Sequence, residues 1–192
     1  MAKYHSSSEA ETKLIAGNLA KTTKGRIFAL TGELGAGKTI FAQGFAKGLG
    51  ITEKIISPTF VLIRQHKIPD TGKTFYHLDL YRLDDTTNFK ELGLEEIWSD
   101  PNNIVLIEWA EKIKKLPKGT VKISIQKEGT NGRNIIIHNS LLISTSIDPI
   151  ICLSMVSQLY LIKSPSQPLF QLCPLFGSLI KNTKPEKLSF LP

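Results

Sequence analysis

Cysteine is scarce in this chain of 192 residues. Its two cysteines, Cys152 and Cys173, do not form a CxxC pair, which excludes the usual zinc and dithiol redox motifs. The first residues, MAKYHSSSEAETK, are polar and lack the apolar segment of a secretory signal peptide. Because few thiols and no secretory leader favour a reducing compartment, we expect a cytoplasmic protein.

Long apolar runs are also missing. The stretch IICLSMVSQLYLIKS, between Pro149 and Pro165, is shorter than the ~20 apolar residues that a transmembrane helix needs, so we expect no membrane contact. The net charge is +7 and the pI is about 9.4, which favours an acidic partner. This excess of basic residues is smaller than that of a dedicated nucleic-acid-binding domain with a basic stripe, and we expect no DNA among the partners.

The composition changes near residue 140. Residues 141–192 hold six of the ten prolines, both cysteines and few charged side chains. We therefore predict one domain over 1–140 and a C-terminal extension, 141–192, of unknown structure. Strand and helix patterns alternate within 1–140, which predicts an α/β fold with a mixed, mostly parallel central sheet flanked by helices.

Local patterns place the elements of this domain. SSEAETKLIAGNLAK begins with Ser8 and Glu11 at capping-box spacing, and TIFAQGFAKGL is a second helix candidate, as is the shorter NFKELGLEEIWS. RIFALT and NIVLIEW are typical of buried strands. Two hairpins are predicted, one turning at PDTG between TFVLIRQHKI and KTFYHLDL, the other at an Asn-Gly turn in KEGTNG between TVKISIQ and RNIIIH.

The segment GELGAGKT, from Gly32 to Thr39, fits the pattern GxxxxGK[ST] between a predicted strand and a predicted helix. Glycines allow successive backbone amides to point into one concavity that holds a phosphate, and the helix N-terminus adds positive potential. The Lys38 ammonium is expected at the β and γ oxygens, and the Thr39 hydroxyl on Mg²⁺. The predicted nucleotide contacts are Gly32, Glu33, Leu34, Gly35, Ala36, Gly37, Lys38, Thr39 and Ile40.

Two carboxylates follow strand patterns. Glu108 ends the apolar run Ile104–Ile107, and Asp79 ends FYHLD. A carboxylate at the end of a strand beside a phosphate-binding loop can coordinate Mg²⁺ or polarise the attacking water. Both can alternatively be structural, Glu108 as a surface acid and Asp79 as a cap of the next element. We predict Lys38, Asp79 and Glu108 as catalytic residues.

The segment SPTF follows the phosphate-loop helix at the position where switch loops bring a hydroxyl to the γ-phosphate. Thr59 or Ser57 could supply it, although an ordinary Ser-Pro turn is an equal alternative. Trp109 either stacks near the nucleotide or a partner, or fills the sheet edge, and the residue taken alone favours the filling role. The histidines lack metal-ligand spacing and are interpreted as incidental; they are His5, His66, His77 and His138. A basic loop is interpreted as a solvated face, with an RNA or partner contact as the alternative; it contains Lys112, Lys114, Lys115 and Lys118.

The motifs NKxD and DxxG of guanine-specific GTPases are absent from the sequence, which favours ATP over GTP. The arginines Arg64, Arg82 and Arg133 are scattered, unlike the arginine-rich lid of many small-molecule kinases. GELGAGKT, SPTF, HLDLYRL, ELGLEE and IEWAE occur in this order over residues 8–138. In that combination the chain closely resembles the TsaE (YjeE) family of bacterial tRNA threonylcarbamoyladenosine biosynthesis ATPases.

The resemblance implies a small P-loop ATPase that acts with TsaB-like and TsaD-like proteins. That assembly places a threonylcarbamoyl group on the adenosine beside the anticodon of tRNAs reading ANN codons, and the ATP cycle of the TsaE-like subunit supports repeated turnover. It implies that tRNA is reached indirectly, through the complex. It further implies Thr39 and Glu108 as Mg²⁺ ligands, a role of Asp79 in activity, an approach of Arg133 to the nucleotide, and the base near residues 7–9.

Three hypotheses follow. The first is a Mg²⁺-dependent ATPase in which water attacks the γ-phosphate. The second is a nucleotide-gated interaction module whose ATP binding, rather than hydrolysis, controls the partner complex, and SPTF at a switch position favours it. The third is a small-molecule phosphotransferase.

Overall fold

A computed structural model describes residues 1–83 and 92–138. These residues form a seven-stranded sheet in the order β1-β7-β6-β2-β5-β4-β3. Strands β6, β2, β5 and β4 are parallel, while β1, β7 and β3 add antiparallel edges. The predicted mixed, mostly parallel sheet flanked by helices is confirmed. The elements are β1 (Ala2–Ser6), α1 (Glu9–Thr22), β2 (Ile27–Thr31), α2 (Lys38–Gly48), β3 (Ile63–Lys67), β4 (Thr74–Asp79), α3 (Leu94–Ser99), β5 (Asn103–Glu108), a 3₁₀ turn (Ala110–Lys112), β6 (Val121–Glu128) and β7 (Gly132–Ile137).

The sheet is covered on both faces. Helices α1 and α2 pack together on one face, where Phe41 and Phe45 join Phe28 and Phe75 in the larger apolar core. A second core on the other face includes Leu94 of α3 together with apolar residues of β2, β4 and β5. Because β2 and β5 are buried on both sides, they are nearly continuous apolar runs, as the sequence predicted.

The predicted start of α1 is confirmed. Ser8 is the N-cap, and its hydroxyl accepts a hydrogen bond from the Glu11 backbone amide at 3.2 Å. The Glu11 carboxylate accepts from the backbone amide and the hydroxyl of Ser7, at 2.7 and 2.8 Å. This is a variant of the capping box in which the carboxylate reaches the residue before the cap.

Three details differ from the sequence predictions. Strand β1, at the edge beside β7, was not predicted, because its residues are mostly polar and exposed and show no apolar alternation. The 59–62 segment precedes β3 instead of belonging to it. The predicted Asn-Gly turn is wrong: Gly132 already lies in β7, and the turn uses Gly129 at φ +62°.

The predicted helix NFKELGLEEIWS lies partly outside the described residues, and its described portion begins at Leu94, after Gly93 at φ +65°. The predicted extension, 141–192, and its boundary at 140 also lie outside them. Among residues 1–83 and 92–138, no helix combines the length and apolar character needed to cross a bilayer.

Candidate functional site

The segment Gly32–Thr39 connects the carboxyl end of β2 to the first turn of α2. Gly32 has φ +144° and Gly37 has φ +103°, conformations that residues with a side chain rarely adopt. A Cβ on Gly32 would lie 2.2 Å from the carbonyl oxygen of Ile125, and one on Gly37 would lie 2.5 Å from the Nε of Arg133. A side chain at either position would be crowded and its backbone strained, so glycine is the residue that fits both.

Arg133 supports the loop from behind. Its Nε donates to the carbonyl oxygen of Ala36 at 3.2 Å, and its Nη1 donates to the carbonyl oxygen of Asn131 at 2.9 Å. Its side chain is largely buried. The described contacts of Arg133 therefore hold the loop, and the approach to a nucleotide that the resemblance implied remains a prediction.

Lys38 begins α2, and its ammonium lies against the loop. Nζ donates to the carbonyl oxygens of Gly32 at 2.6 Å and Glu33 at 2.9 Å. The same nitrogen lies 3.6 Å from the centroid of the Trp109 ring, which is a cation–π contact. The ammonium is thus held between the loop carbonyls and an aromatic face.

Burial lowers the pKa of Lys38, since only 5% of the residue is exposed to solvent. Four carboxylates oppose this change and favour the charged form, namely Glu108, Glu111, Asp79 and Glu33. A cation in a partly desolvated position interacts more strongly with an anion than the same cation in water does. The environment of Lys38 therefore suits binding of a phosphate.

Thr39 and Glu108 are in direct contact. The Thr39 Oγ1 donates to the Glu108 Oε2 at 2.9 Å, across the junction between α2 and the end of β5. The other carboxylate oxygen, Oε1, lies 2.7 Å from the Nε2 of His77 on the neighbouring strand β4. The interpretation of His77 as incidental is wrong, because its ring contacts the predicted catalytic carboxylate.

Asp79 accepts hydrogen bonds from both hydroxyls of the SPTF segment. Its Oδ2 accepts from the Ser57 Oγ at 2.7 Å and from the Thr59 Oγ1 at 2.5 Å. Its Oδ1 accepts from the backbone amide of Tyr81 at 3.0 Å. Asp79 stands opposite Glu108 in the β4–β5 register, so the two carboxylates end neighbouring strands at one edge of the sheet. In this structure both hydroxyls therefore bind Asp79.

Trp109 has an unusual backbone for a bulky residue, with φ +59°. This conformation directs the chain from β5 into the 3₁₀ turn. The ring faces the Lys38 ammonium and lies 5.0 Å, centroid to centroid, from the ring of Tyr81. Of the two roles considered for Trp109, the contact with Lys38 favours the one at the site.

The oxygen atoms of Thr39 and Glu108 fit a magnesium ion. Mg²⁺ prefers hard oxygen ligands and is commonly held by one or two protein groups together with phosphate oxygens and water. A hydroxyl and a carboxylate oxygen 2.9 Å apart, beside a loop of backbone amides, provide such a set. Glu33 and Leu34 lie within the loop and Ile40 follows it in α2; Leu34 is 65% exposed.

The glycine loop, the helix that follows it and the carboxylates at the ends of adjacent parallel strands define the P-loop NTPase fold. Lys38, Thr39, Asp79 and Glu108 all lie at the carboxyl edge of β2, β4 and β5. Of residues 7–9, Ser7 and Ser8 take part in capping α1, and the nearby base that the resemblance implied remains a prediction.

Comparison with known proteins identifies the family. The model of the family "Threonylcarbamoyl adenosine biosynthesis protein TsaE" matches residues 6–135, and the chain belongs to this family. It is 40% identical over 135 residues to the tRNA threonylcarbamoyladenosine biosynthesis protein TsaE of Bacillus subtilis, covering 69% of this chain and 82% of that protein. The TsaE of Rickettsia bellii is 44% identical over 122 residues, or 62% of this chain and 82% of that protein.

A solved structure is also similar. The crystal structure of Bacillus subtilis YdiB matches with a TM-score of 0.58 and 31% identity, covering 82% of this chain and 95% of that one. The family resemblance seen in the sequence motifs is thus confirmed, and so is the fold.

Proposed function

We propose that this chain is a Mg²⁺-dependent ATPase that supports threonylcarbamoyladenosine formation in tRNAs reading ANN codons, together with TsaB-like and TsaD-like proteins. The observation that carries the proposal is the Thr39–Glu108 contact of 2.9 Å beside the buried ammonium of Lys38, at the end of a glycine loop. The related proteins are named for tRNA threonylcarbamoyladenosine biosynthesis, which supports the proposed role in this modification.

Each residue has a distinct part in the proposed reaction. The loop amides and Lys38 bind the phosphates and offset the charge that develops on the β–γ bridging and γ oxygens. A water molecule attacks the γ-phosphorus in line with the departing ADP. Asp79 orders this water or its hydrogen-bond partners through a carboxylate that already accepts two hydroxyls.

Thr39 and Glu108 would hold the magnesium ion. When bound, this ion would neutralise part of the negative charge of the phosphates. The Glu108 carboxylate is only 2% exposed and has a donor on each oxygen. It is therefore fixed in orientation by the protein.

The direct test is an assay of tRNA modification with the purified chain, TsaB-like and TsaD-like proteins, unmodified tRNA, an activated threonylcarbamoyl donor, ATP and Mg²⁺. We expect phosphate release and many modified tRNAs per complex only when this chain is present. Equal numbers of modified tRNAs with and without the chain would contradict the proposal.

Trp109 should report nucleotide binding. Its ring lies 3.6 Å from the Lys38 nitrogen, and a triphosphate that attracts this ammonium changes the charge next to the indole. We expect a change in tryptophan emission when ATP is added to a Trp98→Phe variant, in which Trp109 is the remaining tryptophan of the two.

The control for this measurement is the double variant Trp98→Phe, Lys38→Ala. It retains the Trp109 ring but lacks the ammonium, so the emission change should disappear or fall sharply. An unchanged response in the double variant would show that the signal arises away from Lys38.

A nucleotide-gated interaction module is the second candidate, and the SPTF segment favours it. Asp79 binds the hydroxyls of Ser57 and Thr59, while Phe60, next in the chain, is 83% exposed. The Arg82 guanidinium lies 4.2 Å from the Phe60 ring. The Asp79 carboxylate, at the candidate site, is therefore linked through Thr59 to an exposed aromatic residue.

Replacing Phe60 with serine should weaken binding to the TsaB-like and TsaD-like complex about 10-fold or more, because truncating an aromatic hot spot typically costs ~2 kcal/mol or more and a factor of 10 corresponds to ~1.4 kcal/mol. ATP hydrolysis without partners should not change. The matched control is Tyr4→Ser, an exposed aromatic on the opposite edge strand. Equal affinities of the two variants, measured by titration calorimetry, would count against a role of this segment in gating.

A further inference from the structure

His77 is a buried imidazole attached to the candidate metal site. It lies on β4, between β5 and the edge strand β3, its side chain is 0% exposed, and its Nε2 is 2.7 Å from the Oε1 of Glu108. Its other ring nitrogen, Nδ1, has no hydrogen-bond partner within the described residues. The ring stacks on Phe75 with centroids 6.3 Å apart.

The hydrogen-bond pattern assigns the tautomer. Glu108 already receives the Thr39 hydroxyl on Oε2, and an ionised carboxylate only accepts hydrogen bonds. The Nε2 of His77 is therefore the donor to Oε1. Nδ1 takes no part in this contact and has no hydrogen-bond partner within the described residues. Each oxygen of the Glu108 carboxylate thus accepts one hydrogen bond, Oε2 from Thr39 and Oε1 from His77.

We propose that His77 is a positioning residue, which fixes the Glu108 carboxylate so that Oε2 faces Thr39 and the magnesium ion. The proposal rests on the function proposed above, in which Glu108 is a metal ligand. The terminal torsion of a glutamate is broad, so a carboxylate without a second anchor samples several orientations. Groups that orient metal ligands in this way typically contribute 10–100-fold to metal affinity.

Two conservative substitutions of His77 differ in whether they keep the hydrogen-bond donor to Glu108. Glutamine carries its side-chain nitrogen about as far from the backbone as the Nε2 of histidine, so His77→Gln retains the donor to Glu108. Asparagine is shorter, and its nitrogen corresponds in reach to Nδ1, so His77→Asn loses that donor. The matched control is His66→Gln, a change of another buried histidine on the adjacent strand β3.

The experiment titrates Mg²⁺ into each protein, all carrying Trp98→Phe so that Trp109 is the remaining tryptophan, at a fixed concentration of a non-hydrolysable ATP analogue, and follows the emission. We expect half-saturation by Mg²⁺ to rise 10–100-fold in His77→Asn and to stay near the wild-type value in His77→Gln and His66→Gln. Affinity for the analogue in excess EDTA should be the same in all four proteins, because His77 acts on the metal ligand alone.

The outcomes distinguish this inference from the proposed function. If the wild-type protein binds the analogue equally well with and without Mg²⁺, the proposed metal site itself is wrong. If the wild type depends on Mg²⁺ but folded His77→Asn has the same half-saturation, the positioning role is overturned. A loss of analogue affinity in EDTA that matches the loss in Mg²⁺ would also overturn it, since that pattern indicates a general structural defect.

If His77→Asn does not fold, the wild-type protein supplies the second measurement. In a sample with ¹⁵N-labelled histidine and bound analogue, the Nε2 resonance of His77 should shift when Mg²⁺ is added, while that of His66 should not. A His77 resonance unchanged by saturating Mg²⁺ would contradict the inference.

Discussion

Replacement of Lys38 by alanine is expected to reduce the rate of ATP hydrolysis about 100-fold or more. The ammonium is the charge that the structure places at the loop, and removing one preorganised donor to a developing negative charge typically costs a factor of 10²–10³. Phosphate release measured at saturating ATP with the partner complex present gives the effect on turnover.

The matched control is Lys47→Ala. Lys47 is an exposed lysine in the last turn of the same helix α2, so the variant loses the same charge and side chain away from the loop. We expect the parental rate. A Lys38→Ala protein that hydrolyses ATP as fast as Lys47→Ala would exclude the assignment of this loop as the phosphate site.

The second large effect is expected from Glu108→Gln. Glutamine keeps the size of the side chain and can still accept from Thr39, but it removes the negative charge that favours a divalent cation. We expect the rate of hydrolysis to fall about 100-fold, because losing one group that stabilises the transition state electrostatically typically has an effect of this size. We also expect Mg²⁺ to stimulate the variant no longer. Nucleotide binding in EDTA should be retained.

Glu111→Gln is the control for this substitution. Glu111 is exposed and, like Glu108, is close enough to favour the charged form of Lys38, but it makes no described contact with Thr39. If both glutamine variants show the same small change, the effect is one of general electrostatics and Glu108 is not a metal ligand.

Glu108→Gln also separates hydrolysis from gating. A variant that binds ATP without cleaving it should stop tRNA modification after the first turnover if hydrolysis drives the cycle. If it supports full modification over many turnovers, ATP binding alone controls the partner complex. Counting modified tRNAs per complex decides between the two hypotheses.

The parts of the site that the sequence predicted depend on local spacing. Gly32–Thr39 lies within one continuous segment, and Glu108 and Asp79 each end an apolar strand, so their meeting at one sheet edge follows from parallel pairing. The fold could also be predicted from local patterns, because β2 and β5 are apolar on both faces and give continuous apolar runs.

The parts that were missed depend on contacts between distant segments. His77 meets Glu108 across 31 positions of sequence, and the search for metal-ligand spacing among the histidines does not reveal this contact. Its position two residues before Asp79 was the available signal, because residues two apart share a face of a strand. The Asn-Gly turn was wrong because Gly129, and not Gly132, takes the positive φ in this turn.

The measurement that tests the central claim most directly is a crystal structure of this chain with Mg²⁺ and a non-hydrolysable ATP analogue. The account predicts the β-phosphate within the amides of Gly32–Thr39, the Lys38 ammonium on the β and γ oxygens, and the ion bound to the Thr39 hydroxyl. A nucleotide located elsewhere on the protein, or an ion that Thr39 does not contact, would contradict it.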